Sequence, residues 1–233
     1  MNFDPATAHH TGTDLSGADL RQVLAGAAPE PLVLTGCDLS EADLRGTDLA
    51  GATFADCRLD GARLERAVLE GARFTGGSAA GAAFSHSDCT DARFERVDLA
   101  NTHFQGALLT DTAFTGCRMT GANLTGLRGI GHTFSQCNLM LARCKGLSLR
   151  GQTLEGLRLD EADLSAADLR QTVWSDSRLR GATWVAADFT GADLRGADLG
   201  EPTLTEAGAL RGASITPAQA GTILAGIGLT VVT

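Results

Sequence analysis

The chain contains six cysteines and five histidines, the residue types that bind zinc, and thiols can also form disulfides. The Cys-x-x-Cys spacing that is typical of zinc and thiol redox motifs does not occur. His132 lies one five-residue step before Cys137, which brings together fewer ligands than a metal site needs. The pattern therefore predicts buried structural thiols, with no metal site, no disulfide and no bound cofactor.

Acidic side chains outnumber basic ones, with 28 Asp and Glu against 19 Lys and Arg, and the net charge is -9. No grouping of a nucleophile, a base and an acid is visible, and no glycine-rich phosphate loop occurs, so we expect a protein without enzymatic activity. A chain with one lysine, Lys145, is poorly suited to direct binding of nucleic acid, which requires many cationic groups. The acidity favours a basic protein partner instead.

The sequence also bears on the compartment. No run of 18 apolar residues occurs, so we expect no membrane-spanning helix and no membrane partner. The segment from Met1 to Thr13 carries Asp4 and no apolar stretch, which is unlike a secretory signal. These features predict a cytoplasmic protein, and the preference for Ala, Gly and Arg over Lys indicates a bacterial source.

The elements that position these residues follow a repeat of five residues. Steps of five from Leu34 to Leu204 give 35 positions, of which 28 are Leu or Phe. All six cysteines lie either at one of these positions or two residues before one. The residue two positions earlier is mostly small, as at Ala62, and glycine is favoured two positions later. A period of five fits neither an α-helix nor a flat strand. It predicts a chain that turns a corner every five residues, with the large and the small residue pointing inward.

A longer period sets the number of repeats in one coil. Five phenylalanines recur at every fourth repeat, and Cys37 and Cys57 have the same spacing. Four repeats per coil predict an all-β fold, a quadrilateral parallel β-helix of about nine coils with like side chains stacked in ladders. At about 4.8 Å per coil, this solenoid would be ~42 Å long. The predicted core ladder consists of Phe54, Phe74, Phe94, Phe114 and Phe134.

Three segments are expected along the chain. Residues 1–12 are predicted to form an N-terminal tail, residues 13–206 the β-helix, and residues 207–233 a C-terminal helix and tail. Within the β-helix a register break is expected at residues 21–33, because the step from Leu20 to Leu34 is not a multiple of five and two prolines occur within it.

The C-terminal segment carries the signals of a short α-helix, with Thr216 as a good N-cap and Pro217 as a good first helical residue. A helix of about ten residues is not stable alone, so it must pack on the last coil or on a partner. One interpretation is a cap only. We favour a cap that also forms a two-fold dimer, through Ile215, Ile223, Leu224, Ile227, Leu229 and Val231.

The outward positions differ in charge from face to face, where each face is labelled by one of its large residues. The Leu49 face has seven acidic residues against three arginines, the opposite Leu39 face is less acidic, and the Leu44 and Phe54 faces are nearly neutral. We predict that a partner binds an acidic row on the Leu49 face. The acidic row consists of Asp48, Glu70, Asp88, Asp91, Asp111, Asp168 and Asp188.

The unit Ala-(Asp/Asn/Arg)-(Leu/Phe)-x-Gly, repeated over residues 32–206, resembles the pentapeptide-repeat family. The resemblance implies a right-handed β-helix. The acidic surface and the terminal pattern Gly212-Ala213-Ser214-Ile215, helix, Gly228-Leu229 look similar to the MfpA and Qnr group of that family. This likeness implies a homodimer joined at its C-terminal ends and a DNA-mimicking protein that binds DNA gyrase, a type II topoisomerase. Such a protein inhibits gyrase or protects it from quinolones.

Two alternatives stay open. The first is a structural scaffold, an interaction rod with no topoisomerase partner, since a fold alone does not determine function. The second is an immunity protein that guards a producer's gyrase against its own toxin, which shares the mechanism and differs in genetic context. A projecting loop of the kind that some Qnr proteins use is not evident in the sequence, which weighs against drug protection more than against gyrase binding.

Overall fold

Short parallel strands recur once per coil along much of the chain, and neighbouring coils pair through them. The computed structural model describes residues 4, 7–25, 31–226 and 228–230, which fall into two units of residues 1–133 and 134–233. Both units are parallel β-solenoid, which confirms the fold class expected from the sequence.

In the first unit, the described strands follow one another in the sheet in the order of the sequence. They are β1 (His9–Thr11), β2 (Val33–Thr35), β3 (Thr53–Ala55), β4 (Arg73–Thr75), β5 (Arg93–Glu95) and β6 (Ala113–Thr115), and a short helix α1 (Arg21–Leu24) separates the first two. Strand β7 (Thr133–Ser135) begins at the last residue of this unit. Isolated parallel bridges continue the pairing on the other faces.

In the second unit, β8 pairs with β9 and β10 pairs with β11, again in parallel. Two helices follow these strands. The elements are β8 (Thr153–Glu155), β9 (Val173–Ser175), β10 (Ser177–Arg178), β11 (Ala197–Asp198), α2 (Leu204–Ala209) and α3 (Pro217–Gly226). The short C-terminal helix expected from the sequence is therefore present as α3.

The first coil is longer than those that follow it. His9 pairs with Val33, whereas Val33 pairs with Thr53, so the chain takes more residues to complete the first turn than the second. The additional residues fall in the segment where the sequence indicated a register break, and α1 begins that segment. Strand β1 lies within residues 1–12, which were expected to be a tail, and His10 is a buried member of the sheet beside Leu34.

Corners are made by residues with a left-handed backbone. A positive φ recurs at the repeat of five, for example at Gly46, Gly51 and Asp56, and each of these residues follows a large inward residue by two positions. The left-handed region is readily accessible to glycine and strained for other residues, which explains why the repeat favours glycine there. In this conformation the corner N–H donates to the next coil, as Gly46 does to the carbonyl of Glu65 at 3.0 Å.

The large and the small inward residues of the repeat are both buried, and Ser or Thr can occupy the small position in place of Ala. Ala42, Ala52 and Ala62 have no exposed surface. Thr47 Oγ1 donates to the carbonyl of Leu44, and Ser87 Oγ to that of Phe84, each at 2.7 Å. A buried hydroxyl with such a partner avoids the penalty of an unsatisfied donor, so Ser and Thr replace Ala without disturbing the coil.

Aromatic rings fill the interior of the first unit. Phe54, Phe74, Phe94 and Phe114 stack face to face, with centroids 4.6–4.8 Å apart and planes within 8° of parallel. A second stack, Phe84 on Phe104, meets the first one edge-on. The coil spacing sets the ring spacing, and edge-to-face contacts add to the stability that burial gives. Phe134, the fifth predicted member of the ladder, is buried in the second unit.

The regular repeat of the β-helix is interrupted earlier than the sequence indicated, although Ser214 still bridges Asp193 in parallel after α2. We expected it to reach residue 206, with Leu204 as the last large residue, whereas Leu204 begins helix α2. Pro202 has no N–H for a further ladder, and Thr203 and Glu206 form a capping box that starts the helix instead. The indole N–H of Trp184 donates to the carbonyl of Glu206 at 2.9 Å and holds α2 in place.

Replacement of Phe94 by Ala removes a ring that is stacked on both sides and is expected to lower the free energy of unfolding by about 3–5 kcal/mol. Chemical denaturation of the purified chain measures this change. Val68→Ala is the control, because Val68 is 37% exposed, and surface substitutions change stability by about 0.5 kcal/mol or less. An equal effect of the two substitutions would contradict the ladder as the main packing contact.

Candidate functional site

Five members of the acidic row lie in the first unit, around the ladder of Leu49 and Leu69. Asp48 and Asp88 belong to one ladder of bridged residues, and both of them bridge Val68. The two carboxylates are therefore two coils apart, with an apolar side chain between them. The same ladder continues from Asp88 to Leu108 and Arg128. Val68 and Leu108 therefore interrupt the acidic row along this ladder, which the count of charges per face did not reveal.

The corner beside this ladder carries its carboxylates on consecutive coils. Asp91 and Asp111 lie one coil apart, exposed, and left-handed, with φ of +57° and +52°. Their N–H groups donate to the carbonyls of Thr110 and Ile130, both at 2.9 Å, so the backbone under each carboxylate is fixed. Side-chain atoms on neighbouring coils are about 4.8 Å apart where they stack, which gives two adjacent negative charges.

None of the five acids in the first unit forms an ion pair with any residue that the structure describes. Their hydrogen bonds are local: Asp48 accepts from the N–H of Ala50, and Asp88 accepts from the N–H and the hydroxyl of Thr90. These contacts orient the carboxylates and leave their charge uncompensated. The acidic row is most negative in this unit.

The two members in the second unit are partly neutralised. Asp168 and Asp188 are bridged neighbours, and Arg170 lies 2.7 Å from Asp168 Oδ2 and 3.7 Å from Asp188 Oδ2. Hydrogen bonds from Arg170 lower the pKa of Asp168, and a hydrogen bond from Thr190 lowers the pKa of Asp188. One arginine for two carboxylates leaves about half the charge of the pair.

The Leu39 face shows a contrasting arrangement, although it is also acidic. Four of its eight carboxylates are bound by arginines of the same coil or the next one, at N–O distances of 2.5–2.9 Å. These ion pairs are Arg58–Asp60, Arg118–Asp98, Arg178–Asp160 and Arg180–Asp198. Ion pairs therefore compensate half of the carboxylates of the Leu39 face, whereas none of the five acids on the Leu49 face of the first unit is paired with a described residue.

Helix α3 sits on the end of the second unit through a polar contact. Gln219 completes a capping box with Thr216, and its Nε2 donates to the carbonyls of Leu194 and Ala197 at 2.8 and 2.7 Å. The bonds to two last-coil carbonyls explain how such a short helix is held. This glutamine was not singled out from the sequence, although a Thr-x-x-Gln capping pattern marks it.

The apolar side chains of the C-terminal segment remain partly open to solvent. Ile215, Ile223 and Leu224 are half-buried, Leu229 is exposed, and no described residue of α3 is fully buried. Ile227 and Val231 lie outside the described residues. The helix therefore covers the last coil and still presents an apolar edge.

All six cysteines are buried. Burial raises the pKa of Cys57 to about 11, and its Sγ lies 3.3 Å from the carbonyl of Leu34. A protonated buried thiol is a poor nucleophile. Among the described residues, no three metal-binding side chains converge, and no helix is long and apolar enough to cross a bilayer.

A charge cluster on the Leu44 face was not predicted from the sequence. The carboxylate of Asp43, 4% exposed, binds Arg45, Arg63 and Arg21 at 2.7, 2.9 and 3.3 Å. Hydrogen bonds from Arg45 lower the pKa of Asp43 from 3.8 to about 2. Because the face is nearly neutral in sum, a count of charges hides the cluster. The available signal was that Arg63 follows Asp43 by one full coil of the repeat.

Two family models match the sequence. One, described as a pentapeptide repeat region, matches residues 33–104. The other, described as pentapeptide repeats (8 copies), matches residues 87–126, 137–173, 158–196 and 175–207. Together they cover more than half of the chain. A comparison with curated protein sequences gave no match.

Solved structures share the fold. HetL, a pentapeptide repeat protein involved in heterocyst differentiation regulation in the cyanobacterium Nostoc sp. strain PCC 7120, is 26% identical with a TM-score of 0.50, over 81% of this chain and 86% of HetL. A trypsin-treated variant of QnrB1, a plasmid-mediated fluoroquinolone resistance protein, is 22% identical with a TM-score of 0.65, over 96% of this chain and 99% of that one. Full-length QnrB1 is 19% identical with a TM-score of 0.52, over 95% and 100%. At these identities, the likeness to QnrB1 is one of fold.

Acid is expected to weaken the fold through Asp43. The pKa of Asp43 is lower in the folded state than its ordinary value. Ionised Asp43 therefore stabilises the fold at pH values above about 4, and this contribution is lost as the pH falls from about 4 to about 2. The arginines are half-exposed, so we expect a contribution of about 1–2 kcal/mol, which Asp43→Asn removes. Unfolding free energies measured from about pH 6 down to about pH 2 test this. Asp48→Asn, at a carboxylate that forms no ion pair with any described residue, should change the acid dependence less.

Proposed function

The chain belongs to the pentapeptide-repeat family, and from this premise we propose that it is a non-enzymatic protein that binds DNA gyrase by mimicking DNA. Binding modulates the enzyme or protects it from quinolones or gyrase toxins. The observation that carries the proposal is the group of five carboxylates on the Leu49 face of the first unit, which form no ion pair with described residues. Uncompensated carboxylates attract a basic protein surface as phosphates do.

The charge spacing supports a local likeness to DNA. One DNA strand presents a charge every ~3.4 Å along its axis. The corner carboxylates Asp91 and Asp111 are on consecutive coils, with a repeat of about 4.8 Å. The density is similar over these coils and lower elsewhere on the row, since Val68 and Leu108 interrupt it. Recognition on this basis depends on a few carboxylates and on shape.

The rigidity of the row also favours binding. The corner backbone is held by hydrogen bonds to the next coil, and Asp88 is oriented by Thr90. Groups that are already in place before binding do not lose conformational freedom on association, and this improves affinity. The same rigidity holds for a scaffold protein, so the discriminating property is the partner and not the stiffness.

The C-terminal segment supports a homodimer as part of the proposal. Its partly exposed apolar residues, Ile215, Ile223, Leu224 and Leu229, lie at the end of the second unit, where a two-fold contact would cover them. A dimer would double the number of acidic rows that one gyrase molecule meets. It would also protect the apolar edge that α3 leaves exposed.

A supercoiling assay with purified bacterial DNA gyrase, with and without a fluoroquinolone, tests the gyrase proposal. We expect inhibition or drug protection at micromolar concentrations or below. Charge reversal of the uncompensated group by Asp88→Lys, Asp91→Lys and Asp111→Lys should raise the required concentration at least about tenfold, because like charges then face the basic partner.

The matched control reverses three acids in equivalent positions on other faces. Asp38, like Asp88, accepts a hydrogen bond from the N–H two residues later, and Glu41 and Asp56, like Asp91 and Asp111, are exposed corner residues with positive φ. The change in net charge is the same in both variants. If both variants lose activity equally, the row is not the contact surface. A folded protein with no effect on gyrase would favour the scaffold.

Ile223→Glu is expected to convert the dimer to a monomer, because a carboxylate in an apolar contact is desolvated without a partner. Analytical ultracentrifugation measures the mass over a range of concentrations. Thr222→Glu, at the exposed neighbouring position on α3, is the control and should leave the mass unchanged. A wild-type chain that sediments as a monomer at all concentrations contradicts the dimer.

A further inference from the structure

An open cleft of about 490 Å³ lies on the Leu44 face of the first unit. It is lined mainly by cationic groups, although the chain as a whole is acidic. The lining residues are Arg21, Arg45, Gly46, Glu65, Arg66 and His86. The cleft is independent of the acidic row and plays no part in the proposed binding of gyrase.

The Asp43 cluster fixes one side of this cleft. Arg45 binds both oxygens of Asp43, and Arg21 binds both oxygens of Asp19 while also reaching Asp43. An arginine has five N–H donors, and these carboxylates occupy only some of them. The two guanidinium groups are therefore held in place and still have donors for a ligand.

Two further lining groups have unused hydrogen-bonding capacity. The side chains of Arg66 and His86 make no hydrogen bond or ion pair to any residue that the structure describes. Both are corner residues with φ of +60°, and their N–H groups donate to the carbonyls of Ser85 and Gln105. The backbone is thus fixed beneath a free guanidinium and a free imidazole. An unpaired guanidinium on a rigid backbone favours an anion, and an imidazole N–H can donate to one.

Glu65 adds a requirement of the opposite kind. Glu65 lines the cleft, and its Oε2 atom is buried and has no hydrogen-bond partner among the described residues. A carboxylate oxygen can only accept, and a buried acceptor without a donor is unfavourable. The cleft therefore suits a ligand that is anionic and also carries a hydrogen-bond donor.

We propose that this cleft binds a phosphate group that carries or adjoins a hydroxyl. The guanidinium groups of Arg45 and Arg66, with the imidazole of His86, bind the phosphate oxygens. The hydroxyl donates to Glu65 Oε2. Inorganic phosphate meets both requirements at neutral pH because one of its oxygens is protonated, whereas sulfate has the same shape and no proton to donate.

Calorimetric titration of the full chain with inorganic phosphate and with sulfate, at constant ionic strength and neutral pH, tests this assignment. We expect saturable binding of phosphate at one site and binding of sulfate at least tenfold weaker. Glu65→Met removes the hydrogen-bond acceptor and keeps a similar side-chain length, so the preference for phosphate over sulfate should disappear. Equal affinity for the two anions in the wild-type chain, or no saturable binding of phosphate, overturns the proposal.

Arg66→Ala should weaken phosphate binding at least tenfold, because a charge-assisted hydrogen bond is lost. Arg96→Ala is the matched control, since Arg96 is also an exposed corner residue with positive φ and lies outside the cleft. Thermal unfolding of both variants shows whether they are folded. Equal loss of binding in the two variants would indicate general attraction to arginine and contradict a site at this cleft.

Two further ligands identify the source of the phosphate. Glycerol 3-phosphate has hydroxyls beside its phosphate group, and a phosphoserine peptide represents a modified protein. Tighter binding of glycerol 3-phosphate than of the peptide supports a small phosphorylated metabolite and the role of Glu65. Tighter binding of the peptide supports the phosphate contacts and overturns the hydroxyl contact. The gyrase assay is independent of both results.

Discussion

The structure depends on hydrogen bonding between successive coils, each of which contains four of the short repeats. Backbone N–H groups of one coil reach the carbonyls of its neighbour only if the chain turns a corner in every repeat, and the corner requires a left-handed residue. Fifteen described non-glycine residues accept this conformation, which is less favourable for them than for glycine. Hydrogen bonds and stacked side chains between coils offset the conformational strain of these left-handed corner residues.

This constraint turns the surface into a regular lattice of side-chain positions. Each outward residue is followed by another about 4.8 Å away on the next coil, so charges interact mainly along ladders. On the Leu39 face, four of the eight carboxylates have an arginine on the same coil or the next one and are compensated by it. On the Leu49 face of the first unit, valine and leucine follow aspartate, and the charges stay uncompensated. In such a fold, the residue at the same position of the adjacent coil determines whether a surface charge is paired or available to a partner.

The end of the solenoid shows how the lattice is stopped. Pro202 cannot donate to another coil, and the capping box of Thr203 and Glu206 starts a helix at that point. Ser214 then returns to pair with Asp193, so the turn that contains α2 is one residue longer than a regular coil. Gln219 donates to the carbonyls of Leu194 and Ala197 on the last coil. Because Gln219 attaches α3 to the last coil through hydrogen bonds, the apolar residues of α3 stay partly exposed and available for a partner.

The sequence by itself determined the solenoid, its four repeats per coil and the C-terminal helix, because burial, corner geometry and helix capping each select residue types at fixed spacings. Only the tertiary structure decided which charges are compensated. Arg118 and Asp98 lie at equivalent positions of successive coils and form an ion pair, whereas Asp88 and Arg128 are separated by Leu108. The cleft beside Asp43 was likewise decided in three dimensions, whereas the start of α2 is marked locally by Pro202 and the capping box of Thr203 and Glu206. Side-chain partners depend on distances between coils, which a count of residue types along one chain does not contain.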